Sequence, residues 1–259
     1  MSNYVVFDKY SIFVVLEVNK LRVRFEFHMS ELPKAYRLCM LSVLKEMIRF
    51  GSKDYYDHIF EENQNRMKPF AYAPYIHGLE IQKDKIFGTQ LDLTVSSASY
   101  EFMMHLINGS QCNTFYSYQG YELELKHKRT LPDPPQFSST VTFKMLSPLL
   151  IENVYKKPLL AEDDDFEPQF NYFAQLLVQQ FYNRDLFEPL HVMQAKTKKA
   201  VLQERLHQLQ STPIFITANL GILQLQGHPE DLKALYDMGV GRRRSLGLGL
   251  LGVEEVTYA

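Results

Sequence analysis

An α+β fold made of two similar units in tandem is predicted by three features of this sequence. Segments with strand and helix character follow the order strand, helix, strands, helix, strand, and that order occurs twice. A proline-rich break at residues 131–135 separates the two occurrences. The chain has 259 residues, of which 46% are hydrophobic, and this is enough for one large core or two of ordinary size.

The first unit opens with strands and a well-marked helix. Residues 11–18 and 22–27 are rich in Val, Ile and Phe with partial alternation, which predicts strands. In the segment that follows, Ser30 fits a helix N-cap, Pro33 fits the first turn, and Gly51 follows the last turn. The apolar stripe of this helix consists of Leu38, Leu41, Leu44 and Ile48.

The rest of the first unit is predicted as strands around a second helix. That helix covers residues 99–108 and is closed by Gly109. The strands are predicted at residues 68–75, 79–81, 86–95, 112–118 and 121–128. This order of elements is typical of a ferredoxin-like α+β unit.

The second unit repeats the order without a close repeat of the sequence itself. Its predicted elements are a strand at 139–151, helices at 168–183 and 196–209, strands over 214–226, a short helix at 229–238 and a last strand at 248–256. We therefore predict two tandem ferredoxin-like (RRM-like) domains. They cover residues 1–130 and 138–259, with a linker at 131–137.

Composition restricts the classes of function. The formal net charge of −2 argues against a protein that coats nucleic acid along its whole surface, so a nucleic-acid site has to be a local basic patch. Cys39 and Cys112 form no metal-type pair, and we expect no disulfide. Without a secretory leader or a run of about 18 apolar residues, we expect a cytoplasmic protein with no membrane partner. The acidic run at residues 163–165 is interpreted as a mobile, charged loop rather than a metal site.

The most informative motif lies near the end of the chain. Residues 239–249 read Gly-Val-Gly-Arg-Arg-Arg-Ser-Leu-Gly-Leu-Gly. Glycines permit tight turns and close backbone approach, while amides and guanidinium groups can hold an anion. The loop follows a predicted helix and precedes a strand, and it lacks Gly-Lys-Ser/Thr, so the Rossmann and P-loop fingerprints do not fit. The alternative that the glycines only make a tight helix-to-strand connection stays open.

This loop resembles the Gly-hydrophobic-Gly-x5-Gly-hydrophobic-Gly signature of the CRISPR repeat-processing endoribonucleases, the sixth Cas protein and a member of the RAMP superfamily. Residues 68–72, Lys-Pro-Phe-Ala-Tyr, are similar to the family's Lys-x-Phe-Thr-Phe segment, and residues 145–149, Met-Leu-Ser-Pro-Leu, to its Leu-Ser-Pro segment. The resemblance implies two ferredoxin-like domains and RNA binding by the glycine loop. The implied RNA-binding residues are Gly239, Gly241, Arg242, Arg243, Arg244, Ser245, Gly247 and Gly249.

The family resemblance also implies a reaction. Precursor CRISPR RNA is cut within its repeats, without metal or cofactor, when a ribose 2′-hydroxyl attacks the adjacent phosphate and leaves a 2′,3′-cyclic phosphate and a 5′-hydroxyl. Such chemistry needs a group that exchanges protons near neutral pH and a cation beside the phosphate. His58 follows the first long helix, where active relatives often carry a histidine, and Lys68 is the candidate cation.

Other assignments stay open at the level of sequence. His58 could be a half-exposed histidine at a helix end, and His28 and His77 are rival catalysts beside predicted strands. The tyrosine that some relatives place inside the first helix is absent from residues 40–44. Its spatial substitutes are Tyr36, Tyr55 and Tyr56.

The alternatives for function differ in their chemistry. A non-catalytic RNA-binding RAMP subunit of a CRISPR effector complex would share the fold and the loop. A small-molecule enzyme or a protein-interaction domain could use the same scaffold, because fold alone does not determine function. CRISPR repeat RNA is the expected partner, with an effector complex and a homodimer as further candidates. No His-Glu-x-x-His or other metal spacing is found, and we expect no metal.

Overall fold

A computed structural model describes residues 22–134, 136–204 and 214–254. The predicted strand at residues 11–18 lies outside the described residues. The elements of the first half are β1 (Arg22–His28), β2 (Glu31–Pro33), α1 (Tyr36–Gly51), α2 (Lys53–Tyr56), a π-helical turn (Asp57–Glu62), β3 (Ala71–His77), β4 (Glu80–Gln82), β5 (Lys85–Phe87), β6 (Gln90–Ser96), α3 (Tyr100–Cys112), β7 (Phe115–Tyr118) and β8 (Tyr121–Thr130).

The main sheet of the first half has the strand order β3-β6-β1-β8-β7. Its neighbouring strands are antiparallel, with Phe25 of β1 opposite Leu93 of β6. Alternate residues of β1 point to one face, where Phe25 and Phe27 are fully buried against α1 and α3. Leu44 of α1 and Phe102 of α3 belong to the same core. This arrangement of strands and helices is the ferredoxin-like order that the sequence predicts.

The second half contains β9 (Thr140–Met145), β10 (Ile151–Glu152), β11 (Pro158–Leu159), α4 (Phe166–Tyr182), β12 (His191–Glu204), β13 (Ile214–Gln226), α5 (Pro229–Met238), a 3₁₀ turn (Arg244–Leu246) and β14 (Leu251–Val253). Its main sheet has the order β12-β13-β9-β14, and α4 and α5 cover one face. Phe143, Leu223 and Phe170 are buried between the sheet and the helices. The order again corresponds to a ferredoxin-like unit, and the predicted fold class is confirmed.

The two halves contact each other through a polar edge and a small apolar contact. Arg22 is buried, donates from Nε to Ser96 Oγ over 3.2 Å, and places its guanidinium 3.7 Å from the ring centre of Tyr236. Ser96 Oγ donates to the carbonyl of Asp237 over 2.7 Å. Beside this edge, Leu250 packs on the small residues at the start of β3. The end of α5 and the loop after it are therefore held against the first sheet. The predicted linker at 131–137 and the domain limits derived from it stay a prediction.

The start of the first long helix was predicted too early. Residues 31–33, which follow Ser30 and include Pro33, form β2, paired with β5, and α1 begins at Tyr36. Leu32 is fully buried opposite Ile86, so its burial in a small sheet outweighs the local capping signal.

Gly109 was wrongly predicted to close the second helix. It lies inside α3, which continues to Cys112. A Cβ at Gly109 would lie 1.7 Å from the carbonyl oxygen of Met47, so the glycine lets α1 and α3 cross at close range. Ser99 does cap the helix, since its side chain accepts from the amide of Phe102.

The helix predicted at residues 196–209 is also wrong within its described part. Residues 196–204 belong to β12, which pairs with β13 from His191 to Glu204. Residues 205–209 lie outside the described residues. Most of β12 is exposed, so it carries no alternation of buried and exposed side chains to identify it as a strand.

Two predicted strands are shorter in the structure than in the prediction. Within residues 139–151 the strand β9 ends at Met145, and the described part of the last strand covers only Leu251–Val253.

Candidate functional site

A cavity of about 250 Å³ lies where the π-helical turn of the first half meets the end of α4. His58 and Lys68, the two predicted catalytic residues, both line it, together with Arg66. Gln180 and Phe181 line it from the second half of the chain. The other lining residues are Tyr55, Ile59, Asn63, Met67, Pro69, Ser99 and Glu101. The fold thus brings the predicted pair together, ten positions apart in sequence, at a junction of the two halves.

His58 is presented to solvent on the π-helical turn Asp57–Glu62. Its side chain is 61% exposed, and its Nδ1 lies 3.1 Å from Oε2 of Glu62. The side chain of Asn63 donates to the carbonyl of His58 over 2.8 Å and lies 3.4 Å from both ring nitrogens. Glu62 and Asn63 therefore restrict the orientation of the imidazole while leaving much of the ring open to a ligand. Single π-helical turns are frequent at functional sites.

Lys68 binds the backbone of the same turn and of the two residues after it. Its ammonium donates to the carbonyl oxygens of Ile59, Asn63 and Gln64 over 2.8, 2.6 and 3.3 Å. An ammonium has three N–H donors, so these contacts use its donor capacity. Burial, and secondarily the charge of Lys45, lower the pKa of Lys68. In this structure Lys68 stabilises the turn that carries His58, and its contact with a substrate phosphate requires exchange of one carbonyl.

Among the tyrosines considered as substitutes, Tyr55 lines the cavity. Its ring packs on that of His105 at 4.7 Å between centres, and burial raises the pKa of its hydroxyl. Tyr56 packs on Phe60 outside the cavity lining, and Tyr36 lies at the first residue of α1. The substitute that meets His58 at this cavity is therefore Tyr55.

The rival histidines lie elsewhere in the first half. His28 is exposed at the end of β1, and His77 at the end of β3 has its Nε2 3.1 Å from Oδ2 of Asp92. Neither lines the cavity. Arg66, in contrast, was missed by the sequence interpretation although it lines the cavity and is exposed. Its nearness in sequence to Lys68 was the signal that could have drawn attention to it.

The glycine loop connects α5 to β14, and its glycines adopt left-handed backbone angles. The φ angles are +67° for Gly239, +89° for Gly241, +73° for Gly247 and +70° for Gly249. A Cβ at Gly249 would lie 1.9 Å from the carbonyl oxygen of Val240, and one at Gly247 would lie 2.7 Å from the ring of Tyr72. These positions therefore require glycine for conformation and for space.

Several amides of the loop donate within the protein. Val240 N donates to Gly249 O, Arg242 N to Leu150 O and Gly249 N to Pro148 O, each over 2.9 Å. These donors close the loop on itself and on the segment before β10. Their use in folding agrees with the alternative that the glycines serve a tight connection, and it leaves anion binding mainly to the arginine side chains.

The arginines of the loop occupy different environments. Arg242 is exposed, with Nε 3.1 Å from Oε2 of Glu152. Arg243, which has a left-handed φ of +58°, lies partly buried near Glu204. Glu204 forms a buried ion pair with Arg37 of α1 at 3.1 Å. Burial raises the pKa of Glu204 against the opposing effect of the two arginines.

Arg244, which the sequence analysis assigns to RNA binding together with Arg242 and Arg243, lies in the interior of the protein. It is 4% exposed, and its guanidinium donates to Met238 O over 2.6 Å and to Lys68 O over 3.2 Å. It also lies 5.5 Å from the ring centre of Phe181, a residue that lines the cavity. Burial lowers its pKa to about 9. Arg244 thus ties the glycine loop to the segment that carries Lys68, and it does so from the interior.

Two further observations concern metal and membrane. In the described ranges, no group of at least three His, Cys, Asp or Glu side chains is placed to hold a metal ion. The acidic run before α4 forms a defined turn, in which Asp163 accepts from the amide of Leu160 over 2.7 Å. No helix within residues 22–134, 136–204 and 214–254 is long and apolar enough to cross a membrane.

Comparison with known proteins gives a family model and solved structures. Residues 131–253 match the family "CRISPR associated protein Cas6, C-terminal". One similar structure, titled "CRISPR associated protein Cas6", has 19% identity and a TM-score of 0.70 over 92% of this chain and 100% of its own. A Cas6-related protein from Pyrococcus furiosus has 16% identity and a TM-score of 0.75 over 92% of this chain and 100% of its own.

A third structure, described as a RAMP protein binding different RNA substrates, has 14% identity and a TM-score of 0.75 over 90% of this chain and 99% of its own. No curated protein matches the chain. These structural likenesses support the tandem ferredoxin-like fold, and the family model covers the half that contains the glycine loop. Residues 131–253 thus match the Cas6 C-terminal family model, and the chain as a whole shares the fold of these Cas6 and RAMP structures.

Proposed function

We propose that this protein is an endoribonuclease that cleaves CRISPR repeat RNA by attack of a ribose 2′-hydroxyl on the adjacent phosphate, without a metal ion. The observation that carries the proposal is the cavity that His58, Arg66 and Lys68 line together. Both halves of the chain contribute to its walls, so an RNA strand bound there would contact both halves. The family name and the RNA-binding RAMP protein of the same fold support RNA as the substrate class.

His58 acts as the proton-exchanging group in this proposal. An imidazole exchanges protons near neutral pH. Because the Nδ1 of His58 contacts Glu62, the proposal assigns Nε2 to the substrate. As general base it takes the proton of the 2′-hydroxyl, or as general acid it gives one to the leaving 5′-oxygen. Balance in the reaction is simple: the 2′-oxygen forms a bond to phosphorus, the bond to the 5′-oxygen breaks, and that oxygen leaves as a hydroxyl.

Arg66 and Lys68 supply positive charge where the phosphorane develops negative charge. Arg66 is exposed and can bind phosphate oxygens through its guanidinium fork. Lys68 is held by carbonyls, of which that of Gln64, at 3.3 Å, is the most distant and the easiest to exchange. A desolvated cation beside the reacting phosphate is worth more than one in water.

The experiment is single-turnover cleavage of the cognate repeat RNA, in EDTA, by the wild-type protein and by His58→Ala. General acid–base catalysis typically contributes a factor of about 100 to 10 000, so His58→Ala should slow cleavage by that amount with RNA affinity retained. The product of the wild-type protein should carry a 2′,3′-cyclic phosphate. His127→Ala is the matched control, because His127 is exposed on β8 and distant in sequence from the cavity residues.

A rate for His58→Ala equal to that of wild type would remove His58 from the mechanism. Loss of wild-type cleavage in EDTA, with rescue by a divalent cation, would contradict the metal-free reaction. A second candidate function, RNA binding without cleavage, is favoured by the carbonyl contacts that occupy the Lys68 ammonium. Tight RNA binding by the wild-type protein with no product under either condition would decide for that candidate.

A further inference from the structure

An aromatic side chain stands in solvent at the tip of a small hairpin beside the glycine loop. The strands β10 and β11 pair as a hairpin, and residues 153–157 form its turn. Tyr155 is 86% exposed and Val154 is 79% exposed, the highest values among the large hydrophobic residues in the described part of the chain. Lys156 and Lys157, the next residues, are exposed as well. The tip therefore presents an aromatic ring together with two cations.

The tip is held in one conformation by its own hydrogen bonds. The side chain of Asn153 accepts from the amides of Tyr155 and Lys157, each over 3.0 Å. Asn153 N also donates to Lys157 O over 3.0 Å, and Lys156 N donates to Asn153 O over 2.9 Å. Lys156 has a φ of +62°, a left-handed angle that a residue with a side chain seldom adopts. A ring displayed on a preorganised turn loses little conformational entropy when it binds a planar partner.

The hairpin is attached directly to the exposed arginine of the glycine loop. Arg242 N donates to Leu150 O over 2.9 Å, and Arg242 Nε lies 3.1 Å from Glu152 of β10. Tyr155 follows Glu152 by three residues, so its Cα lies within about 10 Å of that of Glu152. The hairpin that carries Tyr155 therefore has Lys156 and Lys157 at its tip and Arg242 paired with its first strand. Glu152, which pairs with Arg242, is the carboxylate of this hairpin.

We propose that the turn at residues 153–157 is an RNA-contact site separate from the cleavage cavity, in which Tyr155 stacks on an unpaired base and Lys156 and Lys157 bind the flanking phosphates. The inference rests on the proposed function, because it assumes an RNA substrate. An aromatic ring flanked by cations is the combination that binds single-stranded nucleic acid, where stacking accepts any base and the cations follow the backbone. The two lysines favour RNA over a protein partner, because the centre of a protein–protein interface is usually poor in charged residues.

The test compares wild type with Tyr155→Ala, Tyr155→Phe and the double variant Lys156→Gln/Lys157→Gln. The probe is a fluorescein-labelled copy of the cognate repeat RNA, and its affinity is measured by anisotropy over a range of salt concentrations. Tyr155→Ala should bind about 5- to 100-fold more weakly, and Tyr155→Phe should bind within about twofold of wild type, because the ring is retained. The double lysine variant should reduce the slope of log affinity against log salt by about 1.4.

Tyr172→Ala is the control for loss of an exposed tyrosine, since Tyr172 is 54% exposed on α4. RNA affinity and single-turnover cleavage should both be unchanged in Tyr172→Ala, because Tyr172 lies outside the turn at residues 153–157 and outside the cavity lining. RNA copies with 2-aminopurine at single positions should show one position whose quenching depends on Tyr155.

Equal RNA affinity of Tyr155→Ala and wild type would overturn the inference while leaving the proposed function intact. Failure of the wild-type protein to bind repeat RNA would overturn both, and that result is seen in the wild-type measurement alone. Binding of RNA without cleavage by wild type would reject the nuclease proposal and leave the inference to be decided by the Tyr155 variants.

Discussion

The turn that carries His58 and the loop that carries the arginines differ in how firmly the fold holds them. His58 stands 61% exposed on a π-helical turn, and its side chain is restrained by Glu62 and Asn63. In the glycine loop, Gly247 and Gly249 are buried against other backbone and ring atoms, and Arg244 is hidden beneath them. The sequence motif that is easiest to recognise is therefore largely structural, while the proposed catalyst lies on a turn with little sequence signal.

The unusual residues of the glycine loop and of the turn that carries His58 have two different causes. The glycines of the loop are required because there is no space for a Cβ, and the buried Arg244 is required because it donates to two backbone carbonyls. Replacement of these residues should therefore lower the stability of the protein first. Exposed side chains such as His58 and Arg242 have few packing contacts, and their replacement should act on RNA cleavage or binding first. Variants that separate stability from RNA function test the distinction directly.

Gly249→Ala should have the largest effect on stability. The new Cβ would meet the Val240 carbonyl oxygen at 1.9 Å, and the φ of +70° would be strained for alanine. We expect a loss of at least about 3 kcal/mol in the free energy of unfolding, because both the backbone conformation and the packing are violated. Urea unfolding followed by circular dichroism measures it.

Gly120→Ala is the matched control for that variant. Gly120 has a φ of +87°, and a Cβ there meets nothing within 4 Å. Its replacement should cost about 1–2 kcal/mol, which is the left-handed backbone penalty alone. Equal losses in the two variants would mean that the close approach inside the loop contributes nothing.

Arg244→Ala should have the next largest effect. It leaves the carbonyls of Met238 and Lys68 without their guanidinium donor and opens a space against Phe181. We expect a loss of about 2–4 kcal/mol in the free energy of unfolding. The salt dependence of RNA binding by the folded variant should match that of wild type, because the buried guanidinium neutralises no phosphate. A shallower salt slope would show that Arg244 reaches RNA and would contradict its role as a purely structural residue.

The fold was predictable where side-chain patterns report burial. Phe25 and Phe27 alternate in β1, and Leu44 belongs to the apolar stripe of α1, so each pattern points to one buried face. In β12, Lys196, Lys198 and Lys199 are exposed, and the strand is defined by pairing with β13 rather than by a buried face. Pairing with the next strand leaves little signal in the side chains of β12 themselves, which is why a helix was predicted there.

The candidate site was predictable only in part, for a related reason. His58 and Lys68 were selected by family resemblance, and the structure places both at one cavity. Arg66 was missed because the family resemblance selected no arginine there, and its nearness in sequence to Lys68 was the one signal that pointed to it. The burial of Arg244 was not predictable because three consecutive arginines look alike in sequence, whereas the backbone of the loop directs one of them inward to the Met238 and Lys68 carbonyls. The direction of a side chain in an irregular loop depends on tertiary contacts that the sequence does not display.

Arg242→Ala should have the smallest effect on stability and a defined effect on RNA. Its exposed ion pair with Glu152 is expected to contribute less than about 1 kcal/mol to the free energy of unfolding. The slope of log RNA affinity against log salt should become shallower by about 0.7–0.9, the contribution of one phosphate contact. Lys126→Ala on β8 removes an exposed cation that is likewise paired, with Glu124, and should leave the slope unchanged. A loss of stability in Arg242→Ala with an unaltered salt slope would group Arg242 with Arg244 as a structural residue. Arg243 would then be the remaining arginine of the loop assigned to RNA. It is partly buried near Glu204 and is therefore less accessible to RNA than Arg242.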